Sequence, residues 1–532
     1  MKINLKKLCV LGSLLVEFSG VYAQSFTWIS STDNDVWKET KTKLQASSPN
    51  TPLLSVNGTE NIQVFKKWGT CFNELGWDAL NMLPLEEQDV ILNNLFSPDG
   101  DLRFSMGRIP MNANDYARDW YSCDEVPGDF QLKYFNINRD KTTLIPYIKR
   151  VQQVNSNITF WASPWSPPSW MKVNHYYSVR SNAEVNQLPA KHEIALYEGT
   201  DNVNKKFYPK QVAVNDYFIQ DPRYLQAYAN YFCKFVSAYQ EEGVTISRVM
   251  FQNEPWAYSI YPACAWTPEG IIRFNVEYFA PTMKKHHPNV QVYLGTLNTN
   301  RIELVDKVLS DPRMKDTVEG IGFQWWGGQI LPEIRKKYPN YKYMQTENEC
   351  GSGTFDWKAA EHTFNLINHY LGNGCEEYTF WNAILCDAGT SGWGWKQNAL
   401  IRVDSKTGSA IYTPEYYAVK HFSNKVVAGT KVLHYKEKGE DKLPVIIFLT
   451  PENKYLVVAG NFNDEPKSLT LQLGDKYLDV IFKCVSSEKS FQGSSGHGIS
   501  AWRWKRRGNA EYELFYICRR ILLIHNYRQI RF

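Results

Sequence analysis

Two acidic stretches carry residue types able to do chemistry. Residues 249–256 read V-M-F-Q-N-E-P-W, and residues 346–350 read T-E-N-E-C. In the first, a β-branched and aromatic run at 247–252 reads as a buried strand. Pro255 stops regular pairing and holds the residue before it extended, so Glu254 is expected on the strand's last rung. Asn253 beside it is a donor suited to a sugar hydroxyl, and Trp256 is a ring able to desolvate the carboxyl. A glutamic acid held in such surroundings acquires the raised pKa that general acid work near neutrality requires. An ordinary solvated loop charge would need none of these neighbours. The second stretch offers Glu347 and Glu349, which share strand parity, so periodicity does not separate them. One carboxyl to protonate a leaving oxygen and a second to attack the anomeric carbon are what retaining glycoside hydrolysis needs.

Such a pair works only if the chain brings distant segments to one face, and the pattern from about residue 63 does this. Apolar strand-like runs at 63–68, 102–109, 159–163, 247–252, 290–295, 321–324, 342–346 and 377–381 alternate with helical segments. Thr267 with Pro268, and Thr413 with Pro414, are helix-start signals. Eight strand–helix units in order argue for an α/β fold of the (β/α)8 TIM-barrel type. No glycine-rich dinucleotide fingerprint follows the first strand, which speaks against an open doubly wound sheet.

In a barrel the strand C-terminal ends converge. Those ends supply Cys71 to Asn73, Arg108 with Asn112, Asn114 and Asp115, and Trp165 and Trp170. They also supply Asn253, Glu254 and Trp256; Gln324, Trp325 and Trp326; Glu347 and Glu349; and Trp381 and Asn382, with Trp393 and Trp395 beyond. Aromatic residues form 14% of the chain, with 18 Trp, a surplus suited to stacking on flat sugar faces.

The remaining chain divides around this unit. Residues 1–23 read as a secretory signal peptide: Lys2, Lys6 and Lys7 precede an apolar run at 8–16, and Val21-Tyr22-Ala23 fits a cleavage site. The protein is therefore expected to be secreted. Residues 24–57 hold short strands that could complete an all-β domain at 425–492, leaving 58–424 as the catalytic barrel. Residues 493–532 fit neither pattern and read as a basic, poorly ordered and dispensable tail, with eight Lys/Arg against two Glu in 501–532. No basic stripe lies upstream, which excludes a nucleic-acid reading, and no later run is long and apolar enough for a transmembrane helix. The ten scattered Cys contain no C-x-x-C, and no H-E-x-x-H occurs, so neither a disulfide framework nor a metal site is expected. Asn57-Gly-Thr and Asn157-Ile-Thr match the glycosylation pattern.

The motifs G-T-C-F-N-E-L-G-W-D-A-L-N-M-L, R-I-P-M-N-A-N-D, A-S-P-W-S-P-P-S-W-M-K, Q-N-E-P, T-E and F-W-N occur in that order. Together they resemble glycoside hydrolase family 30, the group containing lysosomal glucosylceramidase, microbial endo-β-1,6-glucanases and xylan-active enzymes. The resemblance runs from about residue 68 to 428. It implies Glu254 as acid/base, Asn253 on the sugar 2-hydroxyl, and Glu347, directly after Thr346, as nucleophile. Asp115, Trp165 and Trp381 fall on its substrate-binding positions, and Arg108 and Trp325 at the same face are expected to bind substrate too. No cofactor is implied. Three departures stand out: E-C at 349–350, Gln324 where glucosylceramidase has a histidine, and a longer segment at 173–220 on the catalytic face. That segment is rich in polar and tyrosine side chains, which favours a β-glucan, β-1,6-linked above all, over glucosylceramide or a xylan-type substrate. A non-catalytic glycan-binding protein on the same scaffold would bind sugar without turnover.

Overall fold

A computed structural model describes residues 25–32, 35–43, 53–56, 61–179, 216–257, 259–439, 443–463, 465–473, 476–482 and 512–518. The stretch read as a signal peptide, Asn57, most of the 173–220 insertion and the basic run before residue 511 lie outside the described residues.

The barrel is closed and parallel, its strands following one another in chain order. They are Lys67–Cys71, Met106–Met111, Thr159–Pro164, Ile246–Met250, Gln291–Leu297, Gly320–Gln324, Lys342–Glu347 and Glu377–Asn382. The eighth pairs with the first through Glu377 and Lys67, which closes the cylinder. Nearly every strand residue is buried, because helices cover the outside and side chains fill the inside.

The interior is layered. At the base, Arg248 of strand four pairs with Glu377 of strand eight at 2.5 Å and lies 4.2 Å over the Tyr293 ring. Above it Met106, Trp161, Met250, Tyr293 and Met344 form a closed apolar layer. Strand six offers only glycine here: a Cβ on Gly322 would stand 2.6 Å from Thr346 Cγ2 and 2.9 Å from Met250 Cε. The volume of Met250 thus dictates the missing side chain. With this layer filled, polar groups collect above it, at the strand C-terminal ends.

Helix starts follow the local chemistry. Thr267 accepts from the Gly270 N–H and Thr413 from the Tyr416 N–H, each with proline next in the helix. Asn73, just past strand one, caps Glu74–Asn81 by accepting from the Gly76 N–H at 2.6 Å.

Three features differ from the sequence reading. The run expected as one strand at 63–68 is two: Asn61–Val64 pairs with Lys431–Leu433 of a β-sheet, and the barrel begins at Lys67. Gln63 turns its amide onto the carbonyls of Leu371 and Cys375, tying that sheet to the barrel. A small three-stranded sheet, Ile384–Cys386, Ile401–Asp404 and Ser409–Tyr412, interrupts the last β/α connection. The third difference is the C-terminal tail. Tyr512–Cys518 is a strand inside the seven-stranded sheet, parallel to Ser25–Ser31 on one side and to Tyr455–Asn461 on the other. Its Y-E-L-F-Y-I-C run is β-prone, and the arginines that follow it hide that pattern in a wider reading.

The seven-stranded sheet and a four-stranded one, built from Lys436–Lys438, Leu53–Val56, Lys467–Leu473 and Lys476–Phe482, draw strands from both chain ends. Trp68 donates its indole N–H to the Val426 carbonyl at 2.7 Å, and His421 meets Ser31 Oγ at 2.7 Å. These contacts fix the sheets to the barrel away from its open face.

Candidate active site

Arg108, inward on strand two, is the hub. It is fully buried, and all five of its N–H groups are occupied by protein. Nη1 reaches Glu347 Oε2 at 2.5 Å and the Thr346 carbonyl at 3.5 Å. Nη2 donates to Asn253 Oδ1 at 2.7 Å and to Ser163 Oγ at 3.0 Å, and Nε also reaches Ser163 Oγ, at 3.2 Å. Its Cζ lies 4.1 Å over the Trp165 ring and 5.5 Å from that of Trp381. The expectation that Arg108 binds substrate is therefore corrected: no donor is left for a ligand, and the guanidinium positions other groups.

Asn253 Oδ1 accepts from Arg108, from Gln324 Nε2 at 2.6 Å and from Thr296 Oγ1 at 3.0 Å. Three donors on one oxygen fix the amide's orientation and turn Nδ2 away from them. Gln324 Nε2 also reaches Glu347 Oε2 at 3.1 Å, so the Glu347 carboxylate, the two amides and the guanidinium form one connected unit. A register shift between strands six and seven places Gln324 opposite Glu347. Such irregularities re-aim side chains at strand ends.

Glu254 is not on the last rung of strand four, which ends at Met250. It lies in a turn at φ +46°, a left-handed backbone that a glutamate seldom adopts. The turn is held by the Glu254 N–H on the Thr296 carbonyl at 3.0 Å and the Ala257 N–H on the Glu254 carbonyl at 2.9 Å. Its carboxyl is buried, and Asn298 Nδ2 donates to Oε1 at 2.6 Å and Tyr261 Oη to Oε2 at 2.5 Å.

The two carboxyls thus sit in different chemistry. Burial raises the pKa of Glu254, with the Tyr261 and Asn298 hydrogen bonds and Arg108 acting against it. Burial also raises that of Glu347, opposed by Arg108 and reinforced by the charges of Glu254 and Asp115. The pair therefore holds a proton at a pH where isolated carboxylates are ionised. That proton belongs on Glu254, whose partners are neutral, because only Glu347 has a cation in direct contact.

Asp115 is buried, and its Oδ1 has no protein partner among the described residues. Burial, then the charge of Glu254, pushes its pKa up to about 7. Trp165 and Trp381 stack at 5.3 Å as a buried floor, Trp381 donating its indole N–H to Gln397 Oε1 at 2.8 Å. Trp325 is half-buried at the rim, with its backbone N–H on the Glu347 carbonyl. The structure does not bring Trp170 to the site: it packs against Phe130 and Tyr224 and donates to the Asp124 carbonyl. Asn112 likewise braces loops, bonding the Ser166 carbonyl and the Cys123 N–H.

Glu347 and Glu349 are separated by the end of the strand at Glu347. The Glu349 side chain, 44% exposed against 11% for Glu347, meets His362 Nε2 at 2.8 Å outside the pocket. Equal parity did not mean equal direction, because the pleat stops between them.

Thr296, Asn298 and Tyr261 escaped the sequence reading. Thr296 lies at the end of strand five and Asn298 just beyond it, where T-L-N-T-N at 296–300 offered a polar cluster at the expected position. Tyr261 carries no such signal, as it lies in an irregular loop.

The model of the glycosyl hydrolase family 30 TIM-barrel domain matches residues 65–188 and 218–426. The chain is 26% identical over 485 residues to the lysosomal acid glucosylceramidase of Mus musculus, covering 86% of this chain and 84% of that one. It is 24% identical over 434 residues to the endo-1,6-beta-D-glucanase BGN16.3 of Trichoderma harzianum, covering 78% and 81%. Among solved structures, SrfJ from Salmonella typhimurium superposes with TM-score 0.72 at 18% identity, covering 86% of this chain and 97% of that one. An endo-β1,6-glucanase superposes with TM-score 0.68 at 21% identity, covering 86% and 96%.

Proposed function

Because the chain belongs to glycosyl hydrolase family 30, and is a glycosidase, we propose that it cleaves a β-glucan by double displacement, with Glu347 as nucleophile and Glu254 as acid/base. The observation that carries this reading is the contrast between the carboxyls: Glu347 on a guanidinium, Glu254 on a phenol and an amide.

Arg108 and Gln324 both hold Glu347 Oε2, so Oε1 is the oxygen that attacks the anomeric carbon. Glu254 gives its proton to the departing glycosidic oxygen. The Tyr261 hydroxyl, bonded to the same carboxyl, can reverse from donor to acceptor as that proton is held or lost. Glu254, now a carboxylate, then takes a proton from the water that opens the glycosyl ester, and the anomeric configuration is retained. Asn253 Nδ2 serves the 2-hydroxyl, and the unpartnered Asp115 Oδ1 accepts from hydroxyls farther round the ring.

The glucan preference, β-1,6-linked first, rests on the polar and aromatic loop beyond strand three. Asn174, His175, Tyr176 and Tyr177 are among its described residues. An acyl chain beside desolvated polar groups would lose roughly 1–3 kcal/mol for each. The signal-like residues 1–23 make the matching proposal that the enzyme is exported. Specificity constants on β-1,6-gluco-oligosaccharides, xylo-oligosaccharides and a short-chain glucosylceramide, with the first-formed anomer read by NMR, test it. The β-1,6 series is expected to be best and its product a β-anomer. A best rate on glycolipid would overturn the substrate, and an inverted product the mechanism.

A further inference from the structure

We propose that six aromatic side chains form a sugar-binding wall on the leaving-group side, long enough for at least two hexose units beyond the bond cleaved. This rests on the reading of Glu254 as the acid that touches the glycosidic oxygen.

The wall begins at Tyr261, whose hydroxyl is bonded to Glu254 Oε2. Its ring meets Trp395 edge to face at 4.7 Å. Both pack against a cluster holding Tyr177 and Trp393, which meet edge to face at 6.1 Å with the Trp393 indole N–H on Tyr177 Oη at 3.2 Å. Tyr177 in turn stacks on Trp120 at 5.1 Å and lies 4.2 Å from the Tyr176 ring. The rings come from the loops after strands two, three, four and eight, so the line crosses the open face and is not one element's own packing.

Burial divides the set into two kinds. Tyr177 and Trp393 are buried and support the others, while Trp120, Tyr176, Tyr261 and Trp395 are half-buried. A wall meant only to close the protein core would not leave part of four large rings open to solvent. Its direction follows from where it starts. The Trp165–Trp381 floor packs on Arg108, which holds Glu347, whereas this line leaves from Glu254. What departs from the reacting centre on that side is the leaving group.

The lining also identifies the ligand's chemistry. Among the described residues, the aliphatic members of this cluster are Ala113 and Ala117. Rings with polar edges match pyranoses, which present apolar C–H faces and hydroxylated rims, better than they match acyl chains.

Four substrates test this: β-glucosyl fluoride, whose leaving group is one atom, a β-1,6-linked gluco-disaccharide, the corresponding tetrasaccharide, and a short-chain glucosylceramide. The wild-type kcat/KM is expected to rise from di- to tetrasaccharide. Trp395→Ala should lose roughly 3- to 10-fold more on the tetrasaccharide than on the fluoride. Trp120→Ala should lose on the tetrasaccharide and not on the disaccharide. Equal losses on fluoride and tetrasaccharide would make Trp395 a structural support and overturn the proposal, as would no gain with chain length. A loss falling mainly on the glucosylceramide would make it a lipid wall, which also overturns it. If even the fluoride is not turned over by wild type, the parent reading fails, and calorimetry with the tetrasaccharide still decides the wall. Weaker binding to Trp395→Ala supports it, and unchanged binding overturns it.

Discussion

Glu349 follows Glu347 by two residues, yet it pairs with His362 on the barrel's outer helix, while Glu347 holds Arg108 at the centre of the open face. Only the second carboxylate can reach a sugar bound over the Trp165–Trp381 floor. Glu347→Gln should therefore lose roughly 10⁴-fold or more in kcat on every substrate. Glu349→Gln should stay within about twofold of wild type, since an exposed pair contributes little. Glu254→Gln should lose roughly 10²- to 10⁴-fold on oligosaccharides yet still release a burst of dinitrophenolate from an activated aryl glucoside. A dead Glu349→Gln beside an active Glu347→Gln would reverse the assignment.

Arg108 gives the second prediction. Its planar fork serves Glu347, Asn253 and Ser163 at once, a geometry that the point charge of lysine does not reproduce. Arg108→Lys should lose most of the activity, and Arg108→Met should leave a buried carboxylate without its cation, costing about 3–5 kcal/mol of stability. In a folded Arg108→Lys enzyme the Glu347 pKa rises further, so the acid limb of the kcat/KM profile moves to higher pH. Melting curves and pH profiles separate the two effects. An unshifted acid limb would show that Arg108 does not hold Glu347 ionised.

The barrel was legible in the sequence because strands buried on both faces read as continuous apolar runs, and strand ends named Glu254, Glu347, Asp115, Trp165 and Trp381. Side-chain direction was less so. Parity treated Glu347 and Glu349 alike because nothing local marks the last pleated residue. Pro255 foretold an extended Glu254, whereas the pocket needs the carboxyl turned inward and holds the φ at +46° by contacts from strand five. Arg108 was seen as a charge at the right face, and only its five hydrogen bonds to protein acceptors reveal that it serves other residues. The strand at Tyr512–Cys518 pairs with segments more than fifty residues and nearly five hundred residues away, a relationship that local pattern cannot express.

Asp115 supplies the pH prediction. Its pKa is raised to about 7 by burial and next by the charge of Glu254. A carboxylate that accepts sugar hydroxyls is present above that pH and is lost as pH falls through it. Binding of a thio-linked, uncleaved disaccharide should weaken as pH drops from 8 to 6. Asp115→Asn should bind weakly at every pH, without the transition. A transition that persists in Asp115→Asn would assign it to another group.

The tail prediction follows from sheet order. Tyr512–Cys518 lies between Ser25–Ser31 and Tyr455–Asn461, with seven register partners on the second side, Tyr455 opposite Tyr512 through Asn461 opposite Cys518. Removing it does not trim an edge. It splits the sheet, leaving Ser25–Ser31 and Lys38–Lys43 as a two-stranded ribbon, which is marginal in water, and exposes the edge of Tyr455–Asn461. That sheet is joined to the barrel through Gln63, Ser31 and Phe462. Truncation after Gln492 should therefore lower the Tm by several degrees or yield aggregated protein, although no residue of the site is touched. Leu514→Pro makes the same test within the full-length chain, because proline removes a ladder N–H from a strand paired on both sides. For the soluble fraction, kcat on β-glucosyl fluoride at low temperature should stay close to wild type, separating lost stability from lost chemistry. Unchanged melting of the truncated protein and of Leu514→Pro would show that this strand is not part of the folded sheet in solution.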